Sequence, residues 1–126
     1  MARVLVVDDN EQISDFLSSR LQRRGHEVTV TQDCDQALIA ARATLPDVII
    51  LDDALPALHG ASASDALRGD PITQGVPIIA LTSETTSGDR GAANQAGINE
   101  YHPKPIDVAK LMEQIEALAP AVEGRA

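Results

Sequence analysis

Three short runs carry apolar residues without interruption or alternation: Val4 to Val7, Val48 to Leu51, and Val76 to Leu81 with Pro77 inside it. Runs of this length, lacking a polar residue every second position, fit strands covered by other elements on both faces. Such strands belong almost only to parallel sheets whose crossovers lay helices on either side. Each run also ends abruptly in reactive side chains, Asp8-Asp9, Asp52-Asp53 and Thr82-Ser83. Any fold that aligns the three strands in parallel therefore gathers those side chains along one edge.

The segments between the runs supply the helices. After Asn10, the residues Ile13, Phe16, Leu17 and Leu21 recur at helical spacing until Gly25, a natural stop. His26 to Thr31 alternates, with Val28 and Val30 on one side and Glu27 and Thr29 on the other, as an edge strand does. Asp33 is placed to cap a second helix through Ala37, Leu38 and Ala41 to about Thr44, ahead of Pro46. A short helix is expected around Ser62 to Leu67, broken by Gly69-Asp70-Pro71. Another runs roughly from Ser87 to Ala96, with only Ala92, Ala93 and Ala96 as an apolar stripe, so it should be the least firmly packed. Ile98 to His102 reads as a short half-polar strand, and Val108, Leu111, Met112, Ile115 and Leu118 mark one face of a last helix before Pro120.

Five strands alternating with five helices predict an α/β domain with right-handed crossovers. Hydrophobic residues make up 44% of the chain but aromatics only 2%, so its core must be aliphatic, which suits a parallel sheet. Placing the two alternating strands at the edges fits the order 2-1-3-4-5 of a doubly wound, flavodoxin-like (βα)5 arrangement. The 126 residues suffice for one domain, expected over 1–119, with 120–126 as a short tail. In such sheets the site lies beyond the carboxyl ends of the strands, where the first and third diverge. Here that point holds Asp8, Asp9 and Asp52, with Thr82 at the end of the fourth strand and Lys104 just after the fifth.

Clustered carboxylates repel one another and call for a cation, and oxygen donors suit a hard ion such as Mg²⁺. A carboxylate held beside Mg²⁺ and the Lys104 ammonium is placed to attack phosphorus, while the Thr82 hydroxyl can donate to a phosphoryl oxygen. The net charge of −9 argues against direct contact with nucleic acid. Cys34, the single cysteine, offers neither a disulfide nor a zinc set, and no stretch is long and apolar enough to span a membrane, so a cytoplasmic location is expected. No G-x-x-x-x-G-K-[ST] motif supports nucleotide binding. His26, His59 and His102 lack a ligand spacing and read as surface or loop residues.

Four pieces in order, Val4-Leu-Val-Val-Asp8-Asp9, Asp47-Val-Ile-Ile-Leu-Asp52 with Leu55-Pro56 and Gly60, Pro77-Ile-Ile-Ala-Leu-Thr82, and Tyr101-His-Pro-Lys104-Pro105, resemble the receiver domains of two-component response regulators. The resemblance runs from Arg3 to about Leu118. It implies Asp52 as the phosphoacceptor, Asp9 as a direct Mg²⁺ ligand, Asp8 as a ligand acting mainly through water, and the backbone carbonyl of Ala54 as a further ligand. It implies Thr82 and Tyr101 as a switch pair and Lys104 as the cation facing the phosphoryl group. The implied donor is a histidine kinase or phosphotransfer protein. The implied downstream partner meets the face built from the fourth helix, fifth strand and fifth helix.

Three positions depart from the common pattern: Asp53 follows the acceptor, His59 replaces an acidic residue before Gly60, and Ala54 offers no polar group to position a hydrolytic water. Two other functions compete with the switch. One is a degenerate receiver that docks constitutively; the intact Asp8, Asp9, Asp52, Thr82 and Lys104 oppose it. The other is a Mg²⁺-dependent phosphohydrolase with Asp8 as nucleophile, which wants a second Asp where Asn10 stands.

Overall fold

The computed structural model describes residues 2–52, 63–82, 98–103 and 105–118. The expected helix at Ser87 to Ala96, the loop holding Asp53, Ala54 and His59, Lys104, and the tail lie outside them. The described residues form five strands, β1 (Arg3–Val7), β2 (Glu27–Thr31), β3 (Val48–Asp52), β4 (Ile78–Thr82) and β5 (Glu100–Pro103). Four helices accompany them: α1 (Glu11–Arg23), α2 (Cys34–Thr44), α3 (Ala63–Arg68) and a last helix, Val108–Leu118. All strand pairs are parallel, in the order β2-β1-β3-β4-β5.

Alternation along the central strands divides the core into two layers. Val4 and Val6, Val48 and Ile50, and Ile79 and Leu81 face one side, where Leu17 and Leu21 of α1 and Leu111, Met112 and Ile115 of the last helix close over them. Leu5 and Val7, Ile49 and Leu51, and Ile78 and Ala80 face the other, against Cys34, Ala37 and Ala41 of α2 and Leu67 of α3. The small residues of α2 bring that helix close to the sheet.

Two positions expected on apolar faces are exposed. Phe16 lies about 100° around α1 from Leu17, at the rim of the buried stripe that Leu17 and Leu21 define, and is 39% exposed. The Arg20 guanidinium, four residues on, sits 5.3 Å from its ring centroid. Val30 is 41% exposed because β2 is an edge strand paired only with β1. Thr31, on the opposite face of β2, is buried, its hydroxyl donating to Val6 O at 3.3 Å.

The helix ends follow from local chemistry. Asn10 caps α1, its side chain accepting from Gln12 N and Ile13 N, and Asp33 caps α2 through Gln36 N at 2.8 Å. Gly25 at φ 87 turns the chain after α1, letting His26 N–H reach Leu21 O at 3.1 Å. Leu45 makes the corresponding turn after α2 at φ 50 without being glycine.

Candidate functional site

Strand register brings the acidic residues together. Val7 is level with Leu51 in the parallel β1–β3 pair, so Asp8 and Asp52, the next residue of each, emerge side by side. Asp52 in turn pairs with Leu81, and Thr82 with Pro103, so β3, β4 and β5 end in a row on the same edge. Carboxylate oxygens of Asp8, Asp9 and Asp52 all lie within 4.8 Å of one another. Asp8 and Asp52 are buried, 0% and 5% exposed, whereas Asp9 is open to solvent.

Backbone and cap geometry hold this edge. Asp8 N donates to Thr31 O at 3.0 Å, and Asp8 Oδ1 accepts from Asn10 N at 2.8 Å. Asn10 then starts α1, with its own carbonyl accepting from Ser14 N and Ser14 Oγ. Asn10 is thus committed to the helix start. At the opposite end of the strands, Asp47 Oδ2 accepts from Arg3 N at 2.9 Å and Asp47 N donates to Arg3 O at 2.8 Å, fixing the register of β1 against β3.

The donors in the cluster are all carboxylate oxygens, and no histidine or cysteine joins them among the described residues. A hard, oxygen-seeking divalent cation such as Mg²⁺ fits that set, and two buried like charges at this spacing favour one. Of the other residues read from the sequence, Thr82 ends β4 and Tyr101 lies in β5, where its half-buried ring packs against the α2 layer. Ala54 and Lys104 lie outside the described residues; Lys104 directly follows the last residue of β5.

Two of the three histidines, His26 and His102, depart from expectation, and His59 lies outside the described residues. His26 is buried and its Nδ1 accepts from Ala2 N at 2.9 Å; burial holds its imidazole below the usual range. His102 is 1% exposed and bridges β5 to the last helix. His26 just precedes β2 and His102 lies within the short β5, and spacing gave no sign of burial at either. Cys34 is buried as the first residue of α2, its thiol pushed up by burial and then by Asp33 and Asp35, away from the reactive thiolate.

Sequence reasoning also missed Arg68. Its guanidinium donates to Gln74 O, Val76 O and Asn99 Oδ1, and Asn99 Oδ1 also accepts from Ile78 N, so one side chain ties the end of α3 to the starts of β4 and β5. Asp70, beyond α3, accepts from Ile72 N and pairs with Arg42 of α2; the Ile72 N–H, then Arg42, hold its carboxyl below the usual range. Neither arrangement has a local sequence signal.

A family model, response regulator receiver domain, matches residues 4–116. The protein PilH of Pseudomonas aeruginosa is 31% identical over 118 residues, covering 94% of this chain and 98% of PilH. The response regulator PleD of Caulobacter vibrioides is 34% identical over 117 residues, but the chain spans only 26% of PleD's length. Among solved structures, the receiver domain of a sensor histidine kinase from Pseudomonas aeruginosa, with a magnesium ion coordinated in its active-site cleft, is 34% identical with a TM-score of 0.84, over 94% of this chain and 98% of that one. Chemotaxis protein CheY4 of Vibrio cholerae is 31% identical with a TM-score of 0.86, over the same shares of the two chains. With the family pattern spanning nearly the whole chain, the sheet order 2-1-3-4-5 and the acidic cluster at its carboxyl edge, the chain belongs to the response regulator receiver domains of two-component signalling.

Proposed function

We propose that this chain is a phosphoryl-accepting switch in which Asp52 takes a phosphoryl group from a histidine kinase or phosphotransfer protein. The observation that carries the reading is the convergence of Asp8, Asp9 and Asp52 within 4.8 Å at the carboxyl edge of a parallel sheet. Asp8, Asp9, Asp52 and the carbonyl of Ala54 would hold Mg²⁺, which when bound supplies positive charge to the equatorial oxygens of the transferring group. An Asp52 Oδ–P bond forms as the N–P bond of the donor's phosphohistidine breaks, and the donor imidazole leaves with the electron pair. Lys104 pairs with the new phosphoryl group, and the Thr82 hydroxyl donates to one of its oxygens.

Tyr101 is the proposed readout. Its half-buried ring stands one strand from Thr82, and movement of the hydroxyl toward the phosphoryl group would let the ring turn inward and alter the face that meets a downstream partner. No turnover of an external substrate is assigned beyond self-phosphotransfer and self-dephosphorylation. A cytoplasmic setting suits a phosphohistidine donor, and no described helix is long and apolar enough to cross a membrane. The test is labelling by a small phosphodonor with Mg²⁺, followed by intact mass, on wild type, Asp52→Asn and Asp53→Asn. Labelling should vanish only in Asp52→Asn; persistence in that variant, or no added mass in wild type, refutes the reading.

A further inference from the structure

The span Pro103-Lys104-Pro105-Ile106 joins β5 to the last helix, and its two prolines have no backbone N–H with which to hold a turn. A side chain ties across this stretch. His102 Nε2 accepts from Asp107 N at 3.0 Å, on the far side of the span, and its other ring nitrogen lies 2.9 Å from Gln114 Oε1. Gln114 Nε2 donates to Tyr101 O at 2.8 Å, which orients the amide so that its oxygen faces the ring. Since Gln114 Oε1 is an acceptor and Asp107 N–H a donor, the ring must be neutral with its proton on Nδ1. Asp107 Oδ1 and O accept from Lys110 N and Leu111 N, so the same residue opens the last helix. The imidazole is almost fully buried at a place where a leucine would satisfy packing, and what it adds is two directional bonds, one to Asp107 N, five residues on in the chain, and one to Gln114 of the last helix.

We propose that His102 is the positioning residue for Lys104: the neutral ring, clamped between Gln114 and the Asp107 N–H, sets the span that carries the ammonium and thereby the rate of phosphoryl transfer. The inference rests on the phosphoryl-accepting reading above, which makes Lys104 a catalytic residue. His102→Leu keeps volume and loses both bonds. It should slow labelling by a small phosphodonor by about tenfold, as a modest misplacement of a catalytic group does. Mg²⁺ affinity by calorimetry should stay within about twofold, because the tenfold loss concerns placement of the ammonium rather than the carboxylates.

In a Lys104→Ala background His102→Leu should cost nothing further, and His102→Gln, whose side-chain oxygen can still accept from Asp107 N, should recover part of the rate. Nitrogen NMR of the wild-type ring provides a reading independent of any variant's folding and should find the Nδ1–H tautomer. The inference is overturned by wild-type labelling in His102→Leu, by an equal loss whether or not Lys104 is present, or by a proton on Nε2. Failure of wild type to label, or labelling of Asp52→Asn, brings down the underlying reading instead.

Discussion

Removing one buried charge from the acidic cluster should strengthen the metal-free fold. Two unit charges 4.8 Å apart, the upper bound on the spacing here, repel by about 3.5 kcal/mol at an effective dielectric near 20. Asp9 is exposed, and screening leaves its share below about 1 kcal/mol. Asp8→Asn keeps an oxygen for Asn10 N, while burying the new amide costs about 1–2 kcal/mol. The net expectation is added stability in chelator of up to about 2 kcal/mol, or a urea midpoint raised by up to about 1 M at an ordinary slope. Saturating Mg²⁺ at a hundredfold over its dissociation constant should stabilise wild type by about 2.7 kcal/mol and the variant by less, so the variant's lead shrinks, and the order inverts where the variant's own gain falls below about 0.7 kcal/mol. Urea unfolding followed by circular dichroism with EDTA and with Mg²⁺ measures both; an Asp8→Asn protein less stable than wild type in EDTA refutes the electrostatic argument.

Burial lowers the His26 pKa in the folded chain, so between that value and about 6.5 the unfolded chain binds more protons. Its contribution is therefore present above about pH 6.5 and lost as pH falls, and His26→Asn should flatten the stability slope from about pH 7.5 to about 5.5 in urea titrations. Arg68→Met removes donors from Gln74 O, Val76 O and Asn99 Oδ1 and should cost about 2 kcal/mol by the same titration; an unchanged midpoint would show those bonds to be exchangeable with water. Leu45→Gly relieves a left-handed φ at a cost of some backbone entropy, for a net gain of about 0.5–1 kcal/mol, read as a higher melting temperature.

Much of the fold was legible because its strands carry two independent signals. Unbroken apolarity in Val4 to Val7 and Val48 to Leu51 marks strands covered on both faces, and alternation in Glu27 to Thr31 marks an edge, so pattern separated central strands from edge strands and the doubly wound arrangement supplied the rest of the order. Pattern does not say how far a helix or a neighbouring strand reaches over a given position. Phe16 and Val30 show this: each has the right period and each falls at the limit of the covered area, where burial depends on tertiary placement. Leu45 was similarly unreadable, since nothing local announces a left-handed leucine; the chain accepts the strain because Pro46 and β3 fix where α2 must end.

At the site, what could be read depends on how each residue gets its position. Asp8, Asp9 and Asp52 follow directly from strand ends: once the sheet is parallel, register alone puts Val7 beside Leu51 and the acids beside one another. Residues that act by reaching across the fold leave no such trace. The bonds of Arg68 span up to 31 positions, and His102 meets Gln114 twelve residues away, on a helix whose apolar face gives no hint of a polar partner. The contrast has a physical basis, because backbone periodicity encodes which side chains share an edge while the partner of a buried polar group is set only when the layers pack. Buried polar side chains with long-range partners, rather than the acids themselves, are thus where the structure adds most to the account of this site.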